Sequence, residues 1–212
     1  MARSDSFRKK TLPAFEIVMD TNTVLRGELY PAAAPNTVGN FIRLANNGFY
    51  DGLTFHRCIR NFIIQGGKAS QEPNFCIRGE FEFNGDKHNR LPHQYGSLCM
   101  ARSNHYDSAS TQFFIVVTRE AGELRCLDGA YAVFGQITEG MKTAEAIAQL
   151  KTDEAFSPLQ PQMIRRVRVE TFGEVYPVDT IAPPVDQVNQ PTVRHRGQKN
   201  RTADHEKEGL IP

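Results

Sequence analysis

The sequence of 212 residues has no tryptophan, and its four cysteines are scattered. Cys58, Cys76, Cys99 and Cys126 form no C-x-x-C pair, so they read as reduced, mostly buried thiols rather than a disulfide framework. The six histidines show neither H-x-x-x-H nor mixed Cys/His spacing, which argues against a structural zinc site. Neither sign of charge is in excess: 25 Lys+Arg against 24 Asp+Glu leave a net charge of +1, too little for a general nucleic-acid binder. No apolar run approaches the roughly 20 residues needed to cross a bilayer. The basic start, Met1 to Lys10, runs into Thr11-Leu12-Pro13-Ala14-Phe15-Glu16, not the unbroken apolar stretch of a signal peptide. A cytoplasmic protein is therefore expected. The common catalytic templates are also missing. There is no G-x-S-x-G elbow and no G-x-G-x-x-G, and Gly66-Gly67-Lys68 fails as a phosphate loop because Phe62 stands where a glycine is required.

What is present is unevenly distributed. All 14 Phe and five of the six Tyr precede Gly173, whereas residues 174–212 hold five of the 12 prolines and only Tyr176 among the aromatics. So few large apolar groups cannot offset chain entropy. The expected layout is an N-terminal extension over 1–10, one globular domain over 11–176 and an extended or disordered tail over 177–212. The tail's basic run, Arg194 to Arg201, is followed by Asp204, Glu206 and Glu208. It reads as solvated chain, with a docking arm for a charged partner as the alternative.

Within the domain, period two dominates. Phe15, Ile17 and Met19 alternate with Glu16, Val18 and Asp20; after Thr21-Asn22, Val24, Arg26, Glu28 and Tyr30 interleave with Leu25, Gly27 and Leu29. The pair predicts a hairpin. Val167, Val169 and Thr171 mark a late strand with one wet face. Helical spacing occurs twice: Val38, Phe41, Ile42 and Ala45, with Pro35 before and Gly48 after, and Met141, Ala144, Ile147 and Ala148, with Thr138 as the expected cap. Many short strands with two helices predict a mainly β fold, a closed or nearly closed antiparallel barrel with helices over its ends.

Two segments stand apart. In Phe55-His56-Arg57-Cys58-Ile59-Arg60-Asn61-Phe62-Ile63-Ile64-Gln65-Gly66-Gly67, simple alternation sends Phe55 and Arg57 to one face and His56 and Cys58 to the other. In the second, Met100-Ala101-Arg102 and a polar loop lead into Gln112-Phe113-Phe114-Ile115. Both set hydrogen-bonding side chains beside phenylalanines. Cys99 lies in a strand-like apolar run and reads as packing.

These segments, with Leu127-Asp128-Gly129-Ala130-Tyr131-Ala132-Val133-Phe134-Gly135, resemble the cyclophilin family of peptidyl-prolyl cis-trans isomerases, bacterial members in particular. Order and spacing agree from Phe15 to Gly173. The resemblance implies a closed eight-stranded antiparallel β-barrel capped by two α-helices, and an isomerase that needs no cofactor and no metal. It implies that Arg57 is the catalytic arginine and Gln65 the glutamine that bonds the peptide backbone. Phe62, Ile63, Phe114 and Leu127 match the proline pocket, and Ala101, Arg102 and Gln112 the groove for residues preceding the proline. Tyr131 stands where animal members commonly have histidine, and His56 supports the site from beside Arg57.

The chemistry suits such a set. Resonance raises a barrier of about 18–20 kcal/mol against rotation of an X-Pro bond. A fixed guanidinium can donate to the nitrogen lone pair that appears only in the twisted amide, which is differential transition-state binding. No bond breaks, so no nucleophile or cofactor is required. The implied partners are proline-containing peptides and unfolded or flexible protein segments, not nucleic acid or membranes, and the protein is expected to be monomeric and to assist folding. Departures from the family pattern are Cys126, where many animal members carry a tryptophan that helps bind the inhibitor cyclosporin, and Lys68 to Asn74, which replaces a longer glycine-rich loop. Arg102 adds a charge to its groove and equally suits a solvated rim. A catalytically silent peptide-binding or chaperone module on the same fold is the rival reading.

Overall fold

The structure is a computed structural model that describes residues 11–71 and 73–184. The expected N-terminal extension and residues 185–212 of the expected tail lie outside the described residues. Eight strands form one antiparallel sheet: β1 (Ala14–Met19), β2 (Val24–Leu29), β3 (Phe55–Ile59), β4 (Ile63–Gly66), β5 (Ser97–Met100), β6 (Phe113–Val116), β7 (Val133–Glu139) and β8 (Ile164–Glu170), in the order β3-β4-β6-β5-β7-β2-β1-β8. The alternating hairpin seen in the sequence is β1–β2, and its inward residues Phe15, Ile17, Met19, Leu25 and Leu29 are all buried. The sheet curls into a half-barrel but does not close as a strand ladder, in contrast to the closed barrel expected. Among the described residues its edges, β3 and β8, share no ladder; they approach each other through the isolated bridge Thr54–Met163 and the bonds from Phe55 N to Gln162 O at 3.0 Å, Gly52 N to Ile164 O at 2.8 Å and Ile164 N to Leu53 O at 2.8 Å. Proline explains the gap: Pro158 and Pro161 occupy the approach to β8 and have no N–H to extend a ladder.

Two helices cover the sheet, as the periodicity predicts, and a single turn, α2 (Ala121–Leu124), adds a third. Helix α1 (Pro35–Asn46) starts with proline in its first turn and buries Val38, Phe41, Ile42 and Ala45. Its N-terminus carries no local side-chain cap. Instead the buried Glu80 carboxylate accepts from Asn36 N (3.0 Å) and Thr37 N (2.7 Å). Phe41 then anchors an aromatic cluster inside the sheet, with Phe15, Tyr50, Phe113 and Phe134 at centroid distances of 5.3–6.1 Å. The interior is filled, not hollow. Helix α3 (Met141–Ala148) buries Ala144, Ile147 and Ala148 against the sheet, but Thr138 is not its cap: Gly140 holds that position in a left-handed conformation, and the Thr138 hydroxyl bonds Arg26 O at 3.4 Å. A backbone that must turn left-handed at the cap selects glycine over a hydroxyl donor.

Beyond β8 the chain stays on the domain. Tyr176 and Val178 pack against the core, Asn36 and Asp179 exchange two hydrogen bonds, and Cys76 and Ile181 form a two-bond bridge. Gly39 on α1 permits this approach, since a Cβ there would lie 2.4 Å from Pro177 O. No helix among the described residues is long and apolar enough to cross a membrane.

Candidate active site

The sheet carries a second apolar cluster on its outer face, distinct from the core between sheet and helices. The core takes Phe55, Cys58, Ile64, Leu98, Met100, Phe113 and Ile115; the outer cluster takes Ile59, Ile63, Cys99, Ala101, Phe114, Val116 and Val133. Strands β4, β5 and β6 obey strict alternation between the two. Strand β3 does not. Phe55 pairs with Gly66 and Arg57 with Gln65, so His56 is an extra residue in a β-bulge. The bulge cancels the alternation predicted for this strand. Phe55 and Cys58 share the core, and Arg57 points with Ile59 to the outer face, opposite to Phe55 rather than beside it.

That turn puts Arg57 at the end of a row. Across β3, β4, β6, β5 and β7 the register places Arg57 beside Gln65, Gln65 beside Phe114, Phe114 beside Cys99 and Cys99 beside Val133. A hydrogen-bonded chain runs along the polar end. Arg57 Nη1 donates to Gln65 Oε1 at 3.2 Å, and Gln65 Nε2 donates to Gln112 Oε1 at 3.0 Å. Gln112 is fixed in turn, because its carbonyl accepts from Ala101 N at 3.0 Å. Arg57 is half-buried, and burial lowers its guanidinium from the ordinary arginine value without discharging it in any accessible pH range. The result is an oriented cation beside an apolar surface.

The loops complete that surface. Phe62 precedes β4 in a turn made by Asn61 at φ +56°, and the segment 127–131 folds back so that Tyr131 N and Ala130 N both bond Leu127 O. Leu127, Phe62 and Tyr131 are thereby buried with Ile63, Phe114 and Ala101. Tyr131 meets Phe114 edge-on, with centroids 5.6 Å apart and planes at 89°. Arg102 lies over the Tyr131 ring at 4.5 Å, and its Nε donates to Ala130 O at 3.0 Å. It is a pinned side chain, not a freely solvated one.

His56 is half-buried behind this row. Burial, reinforced by the Lys68 charge, pushes its imidazole down to about 4, so it is neutral at pH 7 and cannot repel Arg57. Cys126 stands apart: it is exposed, its Sγ bonds Glu123 O at 3.2 Å, and it does not join the buried cluster. Two contributors escaped the sequence reading. His93 stacks parallel to Phe114 at 6.3 Å and is held from behind by Asp128, whose Oδ1 lies 2.9 Å from Nδ1. Phe156 lies under the Arg57 guanidinium at 6.0 Å. Both come from irregular segments with no periodic signal. Among the described residues no group of three or more His, Cys, Asp or Glu could hold a metal ion.

Comparison with known proteins bears on the family and the fold. The family model described as cyclophilin type peptidyl-prolyl cis-trans isomerase matches residues 15–169. Peptidyl-prolyl cis-trans isomerase B of Bacillus subtilis is 41% identical over 132 residues, covering 60% of this chain and 85% of the relative. A Staphylococcus aureus relative named for the same activity is 36% identical over 185 residues, covering 73% and 91%. Among solved structures, a cyclophilin type isomerase from Cryptosporidium parvum superposes with a TM-score of 0.64 at 23% identity, covering 76% of this chain and 98% of its own. A second structure of that protein, obtained in the presence of the dipeptide Ala-Pro, gives 0.63.

Proposed function

The chain belongs to the cyclophilin-type peptidyl-prolyl cis-trans isomerase family, whose members need no cofactor, and from that premise we propose that Arg57 is the residue that accelerates rotation. The substrate proline sits on Phe62, Ile63, Phe114 and Leu127, with Tyr131 and Ala101 at the edge. Apolar contact there holds the pyrrolidine ring while the preceding carbonyl rotates. Gln65, tied between Arg57 and Gln112, bonds the peptide backbone and keeps the guanidinium aimed. In the planar ground state the amide nitrogen has no lone pair to offer. In the twisted state it does, and a charged donor already fixed in place stabilises that state selectively. His56, neutral, fills space behind Arg57 without competing charge. The substrates are proline-containing segments of unfolded or flexible proteins, and the balanced composition and widely spaced cysteines support a monomer working in the cytoplasm.

The observation that carries this reading is the Arg57–Gln65–Gln112 chain at the border of the outer-face apolar cluster. NMR exchange spectroscopy on an X-Pro peptide tests it. Arg57→Ala should lower kcat/KM by about 10²- to 10³-fold, the usual cost of deleting one preorganised transition-state donor. Arg57→Lys should recover little, because an ammonium lacks the rigid fork. Full activity in Arg57→Ala would overturn the assignment. A wild-type protein that bound peptide without accelerating exchange would support the silent peptide-binding module instead.

A further inference from the structure

Beside Tyr131, at the rim of the proposed proline pocket, Arg102 is held in place by neutral groups. Nε donates to Ala130 O at 3.0 Å and Nη1 to Ser103 O at 2.8 Å. Three aromatic rings enclose the guanidinium: Tyr131 at 4.5 Å, Tyr106 at 5.0 Å and Phe81 at 5.2 Å. Two carbonyls and three ring faces fix the fork, and none of them carries a formal negative charge.

The missing element is an acid. The arginines Arg26, Arg90, Arg119, Arg166 and Arg168 each form an ion pair with a carboxylate, whereas Arg102 forms none among the described residues. The acids in its neighbourhood are committed elsewhere. Glu80, which lines the same small crevice, gives both oxygens to the α1 amides. Asp107 accepts from Gly79 N at 2.9 Å and Asn84 Nδ2 at 2.6 Å, and Asp128 holds His93. Arg78 lines that crevice too and adds charge of the same sign as Arg102. Nη2 makes no hydrogen bond to the described residues, so the fork has an unused donor pair. A cation held in place before its partner arrives has already given up its rotamer freedom, which makes a subsequent charge-assisted bond stronger.

We propose that Arg102 makes the isomerase selective for acidic segments, binding an Asp or Glu carboxylate in the residues that precede the substrate proline. This rests on the assignment of the proline pocket above, with the peptide running from Phe114 across Tyr131 toward Arg102. The pairing would be partly solvated and salt-sensitive, of the strength of a well-oriented surface ion pair.

Peptides identical except for Glu, Gln or Lys at the position one or two residues before proline provide the test, with kcat/KM measured by NMR exchange. At about 20 mM salt the Glu peptide should exceed the Lys peptide by about fivefold, a ratio that shrinks toward one at about 500 mM as screening sets in. In Arg102→Gln the ratio should fall close to one at both salt concentrations, and Arg102→Lys should keep part of it. Equal rates for Glu and Lys peptides in the wild type, or a preference that survives Arg102→Gln, would overturn the acidic selectivity while leaving the isomerase assignment intact. Failure to turn over any peptide would overturn the site assignment itself, and the selectivity with it. Because the salt dependence is read on the wild type, the test does not depend on the variants folding.

Discussion

Burying a neutral histidine beside Arg57 ties the stability of the fold to pH. The His56 imidazole titrates near its ordinary 6.5 in the unfolded chain but is pushed down to about 4 in the folded one, by burial first and by the Lys68 charge second. The unfolded state therefore binds the extra proton between these values, so the stabilisation is complete above pH 6.5 and declines as pH falls toward 4. At pH 5 the unfolded-state pKa lies 1.5 units above the pH, which at about 1.4 kcal/mol per unit is an upper bound of about 2 kcal/mol. Water screens the exposed part of the ring, so about 1–2 kcal/mol is the expected loss between pH 7.5 and pH 5. His93, also lowered by burial, adds a loss of the same sign, whereas the carboxylates Asp51, Asp86 and Glu145, lowered by their hydrogen bonds, lose stability only at more acid pH. The assay is urea unfolding at pH 7.5, 6, 5 and 4.5 for the wild type and His56→Gln, which cannot take up the proton. The variant should show a flatter profile, with the two curves converging toward acid pH. Parallel curves, or a wild type equally stable at pH 7.5 and pH 5, would refute the link between this burial and stability.

Two further outcomes follow from single contacts. Glu80→Ala leaves the amides of Asn36 and Thr37 without their acceptor at a buried helix start, and should destabilise the domain by about 2–3 kcal/mol in urea unfolding; an unchanged midpoint would mean the cap is dispensable. With Cys126 exposed and outside the buried cluster, calorimetry should find weak cyclosporin binding that tightens in Cys126→Trp, and nanomolar affinity in the wild type would contradict this.

How far the sequence predicts this molecule depends on whether each feature is local. Helix α1 and the β1–β2 hairpin were legible because their apolar positions recur at fixed spacing and their ends carry Pro35, Gly48 and Asn22. The cap of α1 was not, since Glu80 acts from 44 residues away on Asn36. The open edge of the sheet was missed for a similar reason: the meeting of β3 and β8 depends on residues that are remote in the chain, with Pro158 and Pro161 limiting the ladder. The motifs that carry the candidate site were legible from their spacing, but the directions of their side chains were not. Counting in twos along Phe55-His56-Arg57-Cys58 aims Arg57 into the same face as Phe55, where a guanidinium would be buried among Phe113, Phe41 and Tyr50. Only the pairing of Arg57 with Gln65, one step past Phe55 with Gly66, exposes the extra residue. The glycines opposite help to make that step possible: a Cβ on Gly66 would crowd the Phe55 ring at 3.1 Å, and Gly67 turns at φ +85° where a side chain would meet Thr111 O at 2.6 Å. Thus the residue that breaks the alternation, His56, is also the one whose neutrality the bulge enforces by burying it. The same local irregularity turns Arg57 outward to the pocket and keeps a second positive charge from forming beside it. A histidine at that position has two separable consequences, direction and charge, and His56→Gln removes only the second.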